Sequence, residues 1–499
     1  MRSRSIAVLA LTVLGTAATP ATAQRPRLPS TAAVRRAAEG LTAEGMRREI
    51  ARLSDDSVRG RMTPSPELDE VAAYIAGEFR RLGLRPAGDS GSYLQRYRIR
   101  CTQPDSTSFV ELAAGGATAH LPLGSSLGVL AGQLPEGEAS GRAVLWVGVP
   151  ADTSDLFGTI DLRNATIIAV LPASGLQRAN ELLPHVMRAM GRGASQWLVV
   201  TDLPSQAFAR MVAPSLRRSC AVGSAAGEDV TALVVRDSSA MEVLRAAGED
   251  VTALLASQTP VVRTLTGVTV RWRGNYLMAT ERSAPNVVGT LPGGDAALRS
   301  EHLVVMAHMD HLGVGRPVNG DSIYNGADDN ASGTAAVLEI ARAFQRLGVR
   351  PRRSVIFMAV SGEEEGLWGS GHYVTHPAAP LAQTVADLDL DMISRGWRDS
   401  VSVIGLDFSS LGETIRRVAR EHAALVAQPV VDHWPEEGFL YRSDHINFAQ
   451  RGVPILYFLD GTPPDYHRVT DSVEKIDAEA AAPPAWDPAA RQRLVTGGN

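Results

Sequence analysis

The chain has 499 residues, of which 44% are hydrophobic, and this length and composition predict two or three domains with buried cores. Its formal net charge of −5 argues against nucleic acid as a partner, because nucleic-acid-binding surfaces carry an excess of basic residues. Only Cys101 and Cys220 are present, which excludes a small disulfide-rich scaffold, and their spacing leaves open whether they pair or stay free.

The N-terminal segment has the pattern of a secretory signal peptide. Arg2 and Arg4 precede an apolar run from Ile6 to Leu14, and small residues follow at positions 21–23. The apolar run is shorter than the roughly 20 residues that a membrane anchor needs, and no later segment reaches that length. We therefore expect a secreted or periplasmic protein with cleavage near Ala23 and no membrane partner.

Residues 24–109 form the N-terminal part of the predicted main domain. In "SPELDEVAAYIAGEFRRLGL", apolar residues recur at helical spacing, with Ser65 as N-cap and Pro66 at the first helical position. This pattern predicts an amphipathic helix with one buried face.

Residues 110–274 have a different pattern, with short apolar segments separated by Gly, Pro and Asp. "GRAVLWVGV", "ATIIAVLPA" and "SQWLVVTDL" predict a smaller, inserted β-rich domain, with a helix near Ala179–Met190. The sequence "AAGEDVTAL" occurs at Ala225–Leu233 and again at Ala246–Leu254. Two copies are too few for a solenoid, so we interpret them as a local duplication.

Residues 275–480 alternate between apolar strands and helices, and a tail at 481–499 follows. The segments are "HLVVMA", "SGTAAVLEIARAFQRLG", "RSVIFMAV", "TVADLDLDMI" and "PILYFLD". They predict an α/β fold, in which helices cover both faces of a mixed, mostly parallel sheet. Ligands of such sheets bind at the carboxyl ends of the strands.

Acidic residues and histidines follow the predicted strands of this segment or, for Asp328 and Asp329, precede the next predicted helix. They are His308 and Asp310, Asp328 and Asp329, Glu363 to Glu365, Asp391 and His467. Taken singly, an Asp pair before a helix is usually a cap, and an acidic turn usually starts a helix. Carboxylates that converge at one edge repel each other unless a cation lies between them, and imidazole with carboxylate is a ligand set that suits zinc.

Taken together, the motifs resemble a known family, the secreted co-catalytic di-zinc aminopeptidases. The resemblance rests on "AHMDHLG", "NGADDNASGTAA", "GEEEGLWGS", "LDMI" and "PDYHRVTDSVEKID", across residues 285–477. The group also contains glutamate carboxypeptidase and the transferrin receptor. The resemblance implies the zinc exopeptidase fold, two zinc ions per chain, peptide substrates and hydrolysis by a metal-activated water.

The resemblance also implies a role for each motif residue. One zinc would be held by His308, Asp329 and Asp391, and the other by Asp329, Glu364 and His467, so that Asp329 bridges them. Asp310 would orient His308, as metal-bound imidazoles require. Glu363 would be the general base that takes a proton from the attacking water and passes it to the leaving amine. The neighbouring His311 is given no role, because this ligand set is complete without it.

Two further assignments follow from the resemblance. "LRNATIIAVLPASG" and "GASQWLVVTDL" are similar to parts of a protease-associated domain, which implies that residues 110–274 shape access to the cleft. In related enzymes the region of "YRSDHINFAQRGVP" lines the substrate pocket, and we predict that Asp444, His445 and Tyr466 are pocket residues.

Several alternatives stay open beside the aminopeptidase prediction. Carboxypeptidases and dipeptidases of the glutamate carboxypeptidase type need basic residues for a terminal carboxylate and typically carry Pro after the bridging Asp, where this chain has Asn330. Glutaminyl cyclases share the fold but hold a single zinc. A receptor-like, non-catalytic protein would have lost part of the ligand set. The oligomeric state is not predicted.

Overall fold

The computed structural model describes residues 31–479, apart from positions 133, 149–155, 173–178, 218, 223–229, 237, 257–259, 397–399 and 422–427. The predicted signal peptide and the tail at 481–499 lie outside the described residues, as does part of the first repeat copy. No helix within the described ranges combines the length and apolar character that crossing a membrane requires.

The α-helices of the described ranges are numbered in chain order. They are α1 (Thr31–Glu39), α2 (Ala43–Leu53), α3 (Pro66–Arg81), α4 (Ala179–Gly191), α5 (Ser205–Val212), α6 (Ser238–Ala246), α7 (Val251–Ala256), α8 (Gly333–Arg346), α9 (Trp368–Thr375), α10 (Leu411–Glu421) and α11 (His445–Ala449).

The strands are numbered in the same way. They are β1 (Arg85–Pro86), β2 (Leu94–Pro104), β3 (Phe109–Ala114), β4 (Ala117–Pro122), β5 (Leu127–Ala131), β6 (Gly137–Val147), β7 (Ala165–Val170), β8 (Gln196–Val200), β9 (Ser219–Val222), β10 (Thr231–Val235), β11 (Val261–Gly274), β12 (Tyr276–Leu291), β13 (His302–His308), β14 (Gly313–Val318), β15 (Asp321–Tyr324), β16 (Ser354–Val360), β17 (Thr384–Leu390), β18 (Ser400–Ile404), β19 (Gln428–Val430) and β20 (Ile455–Leu459).

Helix α3 forms as its sequence predicts. Ser65 caps it by accepting a hydrogen bond from the Leu68 N–H at 3.1 Å, and Pro66 occupies the first turn. Ile75 and Phe79 on its apolar face are fully buried, and Leu68, Val71 and Ala72 are buried beside them. The helix therefore packs one face into the core, as predicted.

The main sheet is mixed, with a parallel centre. Its strand order is β19-β18-β20-β17-β13-β16-β12-β2-β9, and β1 pairs with β12. Strands β20, β17, β13 and β16 run parallel, whereas the pairs of β12 with β16 and with β2 are antiparallel. This arrangement confirms the predicted α/β class.

Helices cover both faces of this sheet. Along β13, Val305 and Ala307 belong to the core that includes α3 and α8, whereas Val304 and Met306 belong to the core that includes α9 and α11. Side chains alternate between the faces of a strand, so a strand covered on both faces must be apolar throughout. This requirement explains the uniformly apolar runs in the sequence.

The segment predicted to be an inserted domain forms a second sheet, with one exception. Its strand order is β4-β3-β11-β6-β7-β8-β10-β5. Strand β9 instead pairs with β2 of the main sheet, and a disulfide joins Cys101 to Cys220 at that pairing. The likeness of this segment to a protease-associated domain stays a prediction.

Candidate metal centre

The carboxyl ends of the parallel strands bring the predicted site residues to one edge of the main sheet. His308 is the last residue of β13, Glu363 and Glu364 follow β16, and Asp391 directly follows β17. Asp329 lies in the helical turn Ala327–Ser332 that leads into α8. Four separate stretches of sequence therefore meet at one place, as is usual for sheets of this type.

Asp329 is shared by two sets of side chains. Its Oδ1 lies 3.4 Å from His308 Nε2, and its Oδ2 lies 3.3 Å from His467 Nε2. His308 Nε2 is also 3.3 Å from Asp391 Oδ1, and His467 Nε2 is 3.1 Å from Glu364 Oε2. The two oxygens of one carboxylate thus point to two separate pairs of donors, which is the arrangement of a bridging ligand.

The donor set fits a pair of divalent cations. The ligand atoms of His308, Asp329 and Asp391 lie within 4.8 Å of one another, and all three residues are buried. Uncompensated buried carboxylates are costly, and nitrogen with oxygen donors suits zinc. Burial lowers the pKa of His467, but Asp329 and Glu364 outweigh it and raise that pKa to about 10. The carboxylates therefore favour positive charge at this position, which a metal ion would supply when it displaces the proton.

His311 also belongs to this centre, although sequence reasoning gave it no role. It is fully buried, and its Nδ1 lies 2.6 Å from Glu364 Oε1 and 3.8 Å from Asp329 Oδ2. The first distance is that of a charge-assisted hydrogen bond, through which His311 holds one oxygen of Glu364 while the other faces His467. The presence of His311 within the motif "AHMDHLG" is the sequence feature that could have indicated its role. The spacing of the motif does not show, however, in which direction the imidazole ring of His311 points.

Asp310 supports the centre through two different groups. Its backbone carbonyl lies 3.3 Å from His308 Nδ1, whereas its carboxylate oxygen Oδ1 is 3.8 Å from the same nitrogen. The predicted orienting contact to His308 thus comes from the carbonyl at hydrogen-bond distance. The carboxylate instead accepts hydrogen bonds from the Thr63 hydroxyl at 2.9 Å and from the Glu363 N–H at 3.4 Å.

Hydroxyl groups hold the far side of Asp391. The Ser443 hydroxyl donates to Asp391 Oδ2 at 3.1 Å, and the Tyr457 hydroxyl donates to the same oxygen at 3.3 Å. These bonds leave Oδ1 facing His308. Such outer partners fix the orientation of a ligating carboxylate.

A buried arginine, which the sequence did not reveal, holds the loop of Asp329. Arg61 is fully buried, and its Nε donates to the Met309 carbonyl at 2.8 Å. Its two terminal nitrogens donate to the carbonyls of Asn325, Gly326 and Asp329. The guanidinium has five donors in a rigid fork, which suits this convergence of carbonyl oxygens.

Asp328, the neighbour of Asp329, has a structural environment. Its Oδ1 accepts hydrogen bonds from the Ser394 hydroxyl at 2.7 Å and the Ser394 N–H at 3.0 Å. Burial, together with the charge of Asp471, raises the pKa of Asp328 to about 8. Of the two adjacent carboxylates, Asp328 therefore stabilises the loop, whereas Asp329 belongs to the candidate centre.

Glu363 and Tyr466 line the same cavity as His308, Asp329, Asp391 and His467. Burial raises the pKa of Glu363 well above its usual range, and the charges of Glu364 and Asp444 add to this effect. A carboxylate with a raised pKa beside a cavity is a candidate general base.

The other two predicted pocket residues, Asp444 and His445, are not among the cavity-lining residues. Both are fully buried. Asp444 accepts a hydrogen bond from the Ser370 hydroxyl, while the His445 N–H donates to Asp389 Oδ2 at 3.1 Å and its Nε2 lies 3.0 Å from the Leu440 carbonyl. Asp444 Oδ2 has no hydrogen-bond partner among the described residues, whereas the other polar groups named here form internal hydrogen bonds and do not face the cavity.

The fold and the donor set define an α/β protein with a candidate paired metal centre. Residues 286–484 match the family model described as peptidase family M28. The chain is 31% identical over 191 residues to leupeptin-inactivating enzyme 1 of Streptomyces exfoliatus, covering 38% of this chain and 38% of that protein. It is 30% identical over 161 residues to aminopeptidase YwaD of Bacillus subtilis, covering 31% of this chain and 34% of that protein.

A solved aminopeptidase from Aneurinibacillus sp. strain AM-1 aligns with 90% of this chain and 92% of its own, at 19% identity and a TM-score of 0.47. The family-model match covers residues 286–484, which is less than half of the 499 residues of the chain. This match confirms the family resemblance of the motifs. The matched segments span about a third of the length of the two curated relatives.

Proposed function

We propose that this protein is a zinc-dependent aminopeptidase, which hydrolyses the first peptide bond of peptides that have a free N-terminus. The observation that carries the proposal is the shared carboxylate of Asp329, whose two oxygens face His308 and His467 at 3.4 Å and 3.3 Å beside a cavity that Glu363 also lines. The family match of residues 286–484 and the names of the similar proteins support it.

In this proposal His308, Asp329 and Asp391 hold one zinc ion, and Asp329, Glu364 and His467 hold the other. When bound, the ions supply Lewis acidity and make a water nucleophilic near neutral pH. The carboxylates and imidazoles of the chain fix the positions of the ions, while Asp310 and His311 fix the orientation of His308 and Glu364.

Glu363 is the general base in this proposal. It takes a proton from the attacking water and delivers it to the nitrogen of the leaving amine, so no net proton is lost. The raised pKa of Glu363 suits the uptake of a proton from the water, because a carboxylate of ordinary pKa is a weaker base at neutral pH.

In this proposal Tyr466, which lines the cavity, stabilises negative charge on the carbonyl oxygen of the scissile bond. Burial raises the pKa of Tyr466, so the phenol keeps its proton. Arg442 Nη2 donates to the phenol oxygen at 3.4 Å, which leaves the Tyr466 O–H hydrogen available to the substrate. A preorganised donor of this kind acts on the charge that develops in the transition state.

The proposal is tested with zinc-loaded protein and one peptide in two forms, with a free and with an acetylated N-terminus. We expect cleavage of the free form only, and Glu363→Gln to lower kcat on the order of 10²- to 10⁴-fold. The matched control is Glu413→Gln on the exposed side of α10, which should keep the wild-type rate. Preferred cleavage of the acetylated form would instead indicate a carboxypeptidase or dipeptidase. If neither form of the peptide were cleaved, the hypothesis of a non-catalytic protein would be favoured.

Export of the protein is proposed on the N-terminal pattern alone. Arg2, Arg4 and the apolar run Ile6–Leu14 support it. Determination of the N-terminal residue of the protein from a culture medium or periplasmic fraction tests this proposal. We expect Gln24; an intact N-terminus in the cytosolic fraction would contradict it.

A further inference from the structure

Arg442 is a basic residue beside the candidate centre that is not a proposed metal ligand and that contacts the proposed catalytic groups through its hydrogen bond to Tyr466. Among the described residues that line the cavity, it is the only arginine or lysine. It follows the short helical turn Phe439–Tyr441, in the stretch between β19 and α11.

Two aromatic rings and three polar groups position its guanidinium, and one of these groups is the Glu437 backbone carbonyl, 3.5 Å from Nη1. The central carbon lies 5.1 Å from the centre of the Phe439 ring and 5.9 Å from that of Tyr466. Nη1 donates to Glu437 Oε2 at 2.8 Å, and Nη2 donates to the Tyr466 hydroxyl at 3.4 Å. The side chain is 34% exposed, so it is held in place but remains accessible from the cavity.

Its existing partners do not use all of its binding capacity. Glu437 is 46% exposed, and an ion pair at that exposure is weak. The guanidinium carries five donors in a planar fork that matches a carboxylate with two parallel hydrogen bonds. A second carboxylate that enters from the cavity can therefore bind beside Glu437 or replace it.

The charge of the loaded site favours such a partner. Asp329, Glu363, Glu364 and Asp391 are the carboxylates at the centre, and two divalent ions balance them. Arg442, whose ion pair with Glu437 is solvent-exposed, then presents a guanidinium to the cavity next to Tyr466, and thus next to the reacting carbonyl group of a substrate.

We infer that Arg442 binds a carboxylate of the substrate and so selects peptides that carry a negative charge close to the scissile bond. This inference rests on the proposed function. The carboxylate is either the C-terminus of a dipeptide or the side chain of an acidic residue, and the guanidinium recognises both by the same chemistry.

The test compares kcat/KM for two substrate pairs that differ only in this charge. Leucyl-alanine against leucyl-alaninamide reports on the terminal carboxylate, and leucyl-glutamic acid amide against leucyl-glutamine amide reports on the side chain. In wild-type protein we expect the acid of at least one pair to be preferred on the order of 10- to 100-fold, which is the strength of hydrogen bonds to a charged group.

Arg442→Gln should reduce that ratio to about one, and Arg442→Lys should keep part of it, because a lysine retains the charge without the fork. Arg416→Gln is the matched control, since Arg416 has a similar exposure of 36% and pairs with Asp407 on the surface. It should leave the ratio unchanged. Far-ultraviolet circular dichroism of each variant verifies folding.

Absence of a preference in wild-type protein would overturn the inference. So would an equal loss on acid and amide in Arg442→Gln, because Arg442 would then act only through Tyr466. Failure of the proposed function has a different signature, which is no hydrolysis of any of the four substrates, or hydrolysis that Glu363→Gln leaves intact.

Discussion

At the residue scale, the side chains around the candidate centre are of two kinds. Those with a matching motif, such as His308, Asp329 and Asp391, were identifiable from the sequence because a motif fixes both residue type and order. The side chains that act through contacts between distant parts of the sequence were not identifiable in this way. Arg61 contacts Met309 across 248 positions of the chain, and no local pattern encodes such a contact.

Asp387 is a buried acid that none of the proposed steps uses. It lies on β17 and is fully buried, and neither of its carboxylate oxygens has a hydrogen-bond partner within the described ranges. Burial, together with Asp389 and Asp444, raises the pKa of Asp387 well above its usual range. Asp387 is therefore neutral at the pH at which an exposed aspartate is charged.

This raised pKa predicts a pH-dependent stability. The folded state keeps a proton that the unfolded chain releases above about pH 4, so stability falls as the pH rises from there towards the folded pKa. Asp387→Asn cannot ionise, and from about pH 5 to about pH 8 it should gain about 1 kcal/mol or more relative to wild type. Urea unfolding at both pH values measures this gain.

Asp407→Asn, at a side chain that is 68% exposed, is the control and should follow the wild-type curve. A parallel pH dependence of Asp387→Asn and wild type would show that Asp387 is ionised in the folded protein and would contradict the prediction.

At the scale of elements, the helices and parallel strands of residues 275–480 follow from hydrophobic pattern alone. The predicted strand at "HLVVMA" is β13, and the predicted helix at "SGTAAVLEIARAFQRLG" is α8, within a few residues. The pairing of β9 with β2 was not predictable, because the two cysteines that mark it are 119 positions apart and the sequence allowed a free pair.

Arg61 makes a testable link between elements. It lies at the end of the short helix Asp56–Arg61 and binds carbonyls on both sides of the hairpin β14–β15. Arg61→Met keeps an unbranched apolar stem but leaves these buried carbonyls without donors, and we expect the free energy of unfolding to fall by about 3 kcal/mol or more. Denaturant unfolding, with and without zinc, measures the change.

Arg59→Met is the control two residues away, because the Arg59 side chain is 57% exposed. It should cost less than about 0.5 kcal/mol. If Arg61→Met unfolded at the same denaturant concentration as wild type, the loop of Asp329 would not depend on this arginine.

At the scale of the whole molecule, a disulfide fastens part of the segment that forms the second sheet to the main sheet. The disulfide between Cys101 and Cys220 fastens the stretch between β8 and β10 to β2 of the main sheet. Disulfides persist in oxidising compartments, and this one therefore accords with the proposed export. The candidate centre lies at the other, parallel part of the main sheet, where the strand ends converge.

The proposed function requires two metal ions that share Asp329, and the zinc content per chain measures whether both are bound. Elemental analysis of zinc-loaded, desalted protein should give two zinc ions per chain for wild type, about one for Asp391→Ala and fewer than one for Asp329→Ala, because only Asp329 serves both positions. One zinc in wild type, or two retained in Asp329→Ala, would contradict the account.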